Sequence, residues 1–459
     1  MLPAHRPNAV EATLVVLLVT LGACEQPPDS DTSGQDDAAT ERPNWHEDVA
    51  PLIHARCVGC HRDGGVGPFA LDTYASAAPW ADLVETATTS MQMPPWGAQE
   101  TEACHPRHAW ENDPRLNQAE LELLADWAAL GAPEGDPAQA APLPAPTDRD
   151  LADPSDIFEL PAPIEVPAGV DSFACVSIDP GLDDEVWITG VQLIPDNEQV
   201  VHHVLIMLDA TGASAGIAGV DGTYPCEELH LGTMLGSYFP GSAPTRLPEG
   251  AGVPFPAGAR IVLAFHYHPT TAGSGVDQSS LAVRWTAEAP DYDALISTLG
   301  NATSAAGGLL PGPNDPQGEP AFHVPAGAKN HTETMQLAVP PGLPDGTRLF
   351  MLGPHMHDVG TEIRMTHARD GDEQCMIHDP AWNPDWQSVY AIEGAIEELP
   401  TLIEGDVLTM QCTYDNSLDN PRVVEALAGY GLDSPITVTM GSAALDEMCM
   451  FVYGLAVPR

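Results

Sequence analysis

Hydrophobic positions along the chain change their period twice. Near the start they form one unbroken run, Ala12 to Leu21, too short to span a bilayer. Between His46 and Arg56, Val49, Leu52 and Ile53 recur near helical spacing. A second helical stretch has Asn117 as its N-cap and Glu120 at the capping-box position. Leu121, Leu124, Ala125 and Ala128 line one face, and Gly131 is placed to end it. From Ile157 onward the pattern shortens. Runs rich in Val, Ile, Leu and Phe (Glu185–Thr189, Val200–Leu208, Arg260–Tyr267, Arg348–Leu352, Thr437–Thr439) alternate with Pro, Gly, Asp and Asn turns. That spacing predicts antiparallel sandwich or jelly-roll sheets.

The predicted fold class is therefore multidomain: a small all-α unit followed by two all-β jelly-roll or sandwich domains. A chain of 459 residues is also longer than one core normally supports. The boundaries read as a leader over 1–24, a flexible tether over 25–42 and a helical unit over 43–136. A Pro/Ala-rich linker follows over 137–156, then β domains over 157–300 and 301–459, parted by a Gly/Pro-rich stretch from Gly300 to Pro320.

Charge narrows the partners. Acidic residues number 66 against 16 basic ones, a formal net charge of −50. Nucleic acid and anionic membrane surfaces are excluded as partners on that balance. The acids are scattered, as on a solvated acidic surface whose self-repulsion salt would screen. Arg6 precedes the apolar run, which ends Leu21-Gly22-Ala23-Cys24. This resembles the bacterial lipobox, and the resemblance implies an exported, lipid-anchored lipoprotein of the periplasm or cell envelope. The lipid on Cys24 would be its only membrane contact. Disulfides are allowed there. Setting aside Cys24, Cys57 and Cys60, six of nine cysteines remain (Cys104, Cys175, Cys226, Cys375, Cys412, Cys449), and six permit fifteen connectivities.

The helical unit carries Cys57-Val58-Gly59-Cys60-His61. C-x-x-C-H is the attachment signature of haem c. Two thiols add to the two vinyl groups of one porphyrin, and the adjacent histidine reaches the iron. A sixth iron ligand is expected from Met93 in Met93-Pro94-Pro95-Trp96, with Met91, His54, His105 and His108 as rivals. The whole segment resembles class I c-type cytochromes, including their final helix, so the unit is expected to be cytochrome c-like and to hold one covalent haem c.

Each β half has its own histidines. In Gly353-Pro354-His355-Met356-His357-Asp358-Val359-Gly360, His355 and His357 stand two apart on a strand and share a face, so both can ligate one metal. Two imidazoles alone do not name it. In the first half, His202 and His203 are adjacent, and adjacent side chains on a regular strand face opposite ways. They can share a metal only at a bend or bulge. His266 and His268 lie on another strand, and geometry alone does not choose between them. Met448 near the C-terminus would add a thioether to His355 and His357, and that set selects copper.

His202-His203, Phe265-His266-Tyr267, His355-Met356-His357 and Asp446-Glu447-Met448-Cys449 occur in the order and spacing of the type II copper, ascorbate-dependent monooxygenases. That family includes peptidylglycine α-hydroxylating monooxygenase and dopamine β-monooxygenase. The segment Ala243–Gly250 also resembles the family's stretch before its third histidine. The resemblance covers Ile157 to the C-terminus. It implies two jelly-roll-like domains with one copper each, facing across an open cleft. It assigns His202, His203 and His266 to an electron-transfer copper, with His268 as a neighbour. His355, His357 and Met448 become the oxygen-activating copper, and Cys412–Cys449 a disulfide beside it. The implied activity is hydroxylation of a substrate C–H bond with O2 and a one-electron donor. Peptidylglycine enzymes have a carboxylate-anchoring arginine shortly before the H-x-H pair, and Gly353 stands there instead; Met450 and Val452 replace polar positions after the Met-Cys pair. An apolar or neutral small organic substrate is expected. The fused haem is expected to relay electrons to the copper, tethering having raised the effective concentration of donor at acceptor. The alternative is an exported haem and copper electron-transfer or copper-binding protein without oxygenase activity.

Overall fold

A computed structural model describes residues 42–144, 150–168, 171–226, 233–268, 275–315, 318–442 and 445–459. The expected leader, most of the tether and Cys24 lie outside them. None of the described helices is long and apolar enough to cross a membrane.

Described residues 45–129 carry most of the α-helices. A π-helical turn, Trp45–Val49, runs into the α-helix Ala50–Arg56, and the helices Tyr74–Ala77, Ala81–Thr89 and Gln118–Ala129 follow. The last is capped as its sequence predicts. Asn117 Oδ1 accepts the Glu120 N–H at 3.0 Å, and Glu120 Oε2 accepts the Asn117 N–H at 2.8 Å. Gly131 ends it at φ +78°, a left-handed conformation that costs glycine little. Trp45, Val49, Ile53, Leu124 and Trp127 bury themselves in a core separate from that of the β region, with the Trp45 and Trp127 rings 5.8 Å apart.

Residues 96–111 leave this core and dock on the C-terminal β half. Ala98 and Trp110 are buried in the large core. The Gln99 N–H donates to His378 O and the Glu111 N–H to Ala391 O. A Cys104–Cys375 disulfide closes the contact.

The rest is β structure with few helices. The strand Val201–Asp209 lies between Arg260–Tyr267 and Met234–Tyr238, and Arg260–Tyr267 also pairs with Ser172–Ile178. A four-stranded sheet in the second half is ordered His331–Ala338, Val407–Tyr414, Gly360–Arg369, Asp372–Asp379. Val407–Tyr414 alternates half-buried and buried positions along its whole length, the period-two signature of a one-sided core strand. The two β halves share a sheet. The C-terminal strand Met450–Pro458 pairs on one side with Tyr292–Gly300 and on the other with Arg348–His355. The helix Pro421–Gly429 interrupts the β pattern, started by Asn420 Oδ1 accepting the Arg422 N–H and by proline in the first turn.

Candidate metal centres

The first centre depends on a register break. His266 pairs with His203 and Tyr267 with Val201, so His202 is an extra, unpaired residue between them. This bulge turns two adjacent histidines to one side. His202 Nδ1 lies 3.1 Å from His203 Nδ1, and His266 Nδ1 lies 3.4 Å from His203 Nδ1. Among the described residues, His202, His203 and His266 are the one group of three or more His, Cys, Asp or Glu whose ligand atoms converge, all within 4.8 Å of one another. Asp171 braces the set. Its carboxylate accepts from His266 Nε2 at 3.1 Å and from His268 Nδ1 at 2.6 Å. His268 is thus beside the group and engaged elsewhere. Fixing the far nitrogen of a ligand imidazole orients the near one.

Burial pushes the His202 imidazole down to about 4, and the charges of His266 and His268 push the same way. His203 is held well below the usual range, first by burial, then by His266, His202 and His355. His355 belongs to the other β half, and its charge is the smallest of these effects on His203. Neutral, convergent imidazoles are the form that ligates metal, and this donor set fits copper.

The second centre sits where the Arg348–His355 strand ends. The His355 and His357 rings are 5.3 Å apart. His355 Nδ1 is bonded to Gln387 Oε1 at 3.0 Å, and His357 Nδ1 donates to Asp446 O at 3.1 Å. Both Nε2 atoms are left for a ligand. Burial, then the His357 charge, lowers His355 to about 4.

Met448 is brought to this place by Glu447. The Glu447 side chain is fully buried. Its Oε1 accepts the Val359 and Gly360 N–H groups, and its Oε2 accepts those of His357 and Met448, at 2.9 to 3.1 Å. One carboxylate thereby ties the H-x-H turn to the methionine segment. Tyr414 Oη donates to Met448 O at 2.9 Å, and the Cys412–Cys449 disulfide lies next in sequence. These contacts hold the Met448 backbone near the H-x-H turn, and a thioether from that residue would join two imidazoles in a donor set that suits copper. The loop carrying Gln387 is held by Arg422, which bonds Asn383 Oδ1 at 2.6 Å and Asp385 Oδ2 at 2.5 Å. The charge of Asp385 raises the His202 pKa slightly against the larger effect of burial.

In the helical unit Cys57 and Cys60 are unpaired, whereas the other six described cysteines form the disulfides Cys104–Cys375, Cys175–Cys226 and Cys412–Cys449. Burial pushes the Cys57 thiol up to about 12, with the charge of Cys60 adding to it. His61 Nδ1 donates to Phe69 O at 3.0 Å, leaving Nε2 free. Two adjacent free thiols and a histidine with its outer nitrogen pinned form a donor set that fits haem c. Among the candidates for the sixth ligand, His54 Nε2 is bonded to Asp72 O, and His105 Nδ1 to Glu100 Oε1. His108 stacks edge-on to Trp110 in the docked segment. Met91 is 63% exposed. Met93 is half-buried and lines a cavity of about 380 Å³ with Trp96, Leu116 and Leu121. Cys60 lines a different cavity.

Sequence reasoning gave no role to Glu447, Asp171 or Gln387. Glu447 carried a readable sign, an acid set between Asp446 and the Met448-Cys449 pair. Asp171 and Gln387 carried none, because loops distant in sequence bring them in.

Residues 326–453, which include His355, His357, Glu447 and Met448, match the sequence model of the copper type II ascorbate-dependent monooxygenases, C-terminal domain. DBH-like monooxygenase protein 1 of Mus musculus is 24% identical over 278 residues, 57% of this chain and 40% of that protein. Its Gallus gallus counterpart is 26% identical over 279 residues, 58% of this chain and 40% of that protein. The chain thus spans two fifths of the length of these curated relatives. Among solved structures, the major capsid protein P2 of bacteriophage PM2 aligns with 66% of this chain and 98% of its own, at 12% identity and a TM-score of 0.27, a likeness too slight to carry an argument. The family match and the two relatives support the type II copper, ascorbate-dependent monooxygenase family and a monooxygenase role.

Proposed function

We propose that this protein hydroxylates a C–H bond of a small neutral or apolar organic molecule with O2, using two copper ions. The observation that carries the reading is the Glu447 carboxylate. It fixes His357 and Met448, residues 91 apart in sequence, in one hydrogen-bonded frame beside His355. Copper, when bound, supplies O2 activation and one-electron transfer. The chain's residues supply the rest. His355, His357 and Met448 are the ligands of the oxygen-activating ion, oriented by Gln387, Asp446 O and Glu447. His202, His203 and His266 are the ligands of the electron-transfer ion, oriented by Asp171.

Gly353 argues for an uncharged substrate. A Cβ there would lie 2.9 Å from Val389 Cγ2, so the place a carboxylate-anchoring side chain would need is already filled. Reducing equivalents come from a haem c held by Cys57, Cys60, His61 and Met93. The three disulfides accord with an exported protein, anchored through Cys24.

The test is maturation with haem c, copper loading, and turnover of a panel of neutral substrates under ¹⁸O2, read by mass spectrometry. One labelled oxygen in the product is expected. Met448→Ala should abolish product while the haem spectrum and the first copper persist. Product formation undiminished in Met448→Ala would overturn the site. Copper and haem loading with no product from any substrate would favour an electron-transfer protein.

A further inference from the structure

Among the described residues, one contact of the helical unit with the first β domain leads toward a candidate metal ligand. A Cβ added to Gly241 would lie 2.9 Å from Cys60 Sγ. Only the bare backbone of a glycine, here at φ +78°, fits against that sulfur. Gly241 sits in a tight turn. The Phe239 N–H donates to Ser242 Oγ at 3.0 Å, and the Ser242 N–H donates to Phe239 O at 2.9 Å. The Phe239 ring lies 5.8 Å from the His203 ring. The turn follows directly on the strand Met234–Tyr238, which is paired to the histidine strand through Tyr238 and Val204. Beside it, Arg62 next to the cysteine pair bonds Glu198 Oε1 at 2.6 Å. A cavity of about 210 Å³ lies between Gly59, Cys60 and Arg62 on one side and Glu198, Tyr238 and Gly241 on the other.

We infer that the turn Tyr238–Ser242 is the electron-transfer contact of the protein, joining the Cys60 edge of the helical unit to His203 through the Gly241 backbone and the Phe239 ring. The inference rests on the relay reading above and adds its route and its acceptor. The step moves one electron and no proton: haem iron goes from Fe(II) to Fe(III), and the copper on His202, His203 and His266 goes from Cu(II) to Cu(I). The acceptor is then the three-histidine centre, because the described contacts of Cys60 run to that domain. The Arg62–Glu198 pair is half-buried and lies beside the turn, so its use is to hold the register of the contact. Phe239 and Arg62 are positioning residues.

The experiment is anaerobic flash reduction of the haem in the haem- and copper-loaded full chain, without substrate. The haem absorption band and the Cu(II) signal in electron paramagnetic resonance are followed. In the parent protein the haem band should reoxidise as the Cu(II) signal falls. Arg62→Glu should slow this about tenfold or more by misplacing the contact, and Arg62→Glu with Glu198→Arg should restore it. Phe239→Leu should slow it with the Cu(II) signal unchanged in shape and amount. Phe173→Leu removes a different ring, one stacked 4.6 Å from His266 but away from the turn, and should leave the rate as it is. If the parent haem stays reduced, the relay itself fails and the route with it. If the parent reoxidises but Arg62→Glu and Phe239→Leu keep its rate, the relay stands and the route is overturned.

Discussion

A single carboxylate, that of Glu447, accepts four backbone N–H groups where no water reaches it. A buried donor left without an acceptor costs about 1–3 kcal/mol. Glu447→Gln replaces one accepting oxygen with an NH2 that faces N–H groups. Copper at the H-x-H centre should be lost from the loaded protein, while the three-histidine centre keeps its ion. Metal analysis with paramagnetic resonance would show it, and full retention of both ions would refute the role given to Glu447. A second residue makes a pH prediction. Burial pushes the Asp379 carboxyl up to about 6 from an ordinary value of 3.8. It lies against the docked segment, since a Cβ on Gly97 would overlap its Oδ2. The folded state therefore holds the proton more tightly than the unfolded one. Its stabilising effect is complete below about pH 4 and is lost as pH rises to about 6, at most about 3 kcal/mol. Asp379→Asn keeps the acceptor for the Ala381 N–H and removes the titration. Its urea midpoint should match the parent at pH 4 and exceed it at pH 7.5. A difference that does not change between the two pH values would refute this. At this scale the sequence offers candidate donors, because His, Met and Cys at short spacings stand out, and the structure brings His202, His203 and His266 together. It shows their supports poorly. Asp171 and Gln387 act only through loops whose approach is set by tertiary packing.

Elements tell a similar story with a different cause. The final helix of the helical unit was legible down to its capping box, because both partners of the cap lie within four residues. The bulge at His202 was legible as a requirement, since two adjacent histidines cannot otherwise share a face. The docking of residues 96–111 and the sharing of the Met450–Pro458 strand between the β halves were not legible. Both are pairings between segments more than 90 residues apart, and periodicity carries no signal for a partner. The Cys412–Cys449 disulfide joins a central strand of one sheet to the methionine segment that leads into the Met450–Pro458 strand of the other. Closing that loop is worth about 2–4 kcal/mol in the chain-entropy account. The double substitution Cys412→Ala, Cys449→Ala should lower the denaturant midpoint of the β region. It should also loosen Met448, so copper at the H-x-H centre should exchange faster with a chelator than copper at the other centre. Equal exchange at both centres would mean that Glu447 and Tyr414 hold the methionine without the disulfide.

For the whole molecule the dominant long-range term is charge. A net −50 repels itself in the compact state, and several of the few described cations are already paired. Arg62 pairs with Glu198, Arg260 with Asp179, Arg369 with Asp406, and Arg422 with Asp358 and Asp385. Most of the 66 acids therefore have no cation to offset them. The Debye length falls from about 30 Å at 0.01 M salt to about 3 Å at 1 M, so the repulsion should be removed over that range. Added salt also weakens individual ion pairs, but exposed pairs contribute only about 0–1 kcal/mol each. The repulsive sum should win, and Tm should rise steadily with sodium chloride. Chloride is the salt to use, because sulfate would also strengthen apolar burial and confuse the cause. A Tm that is flat or falls between 0.01 M and 1 M would show that local ion pairs, not the net charge, govern the stability of this acidic molecule.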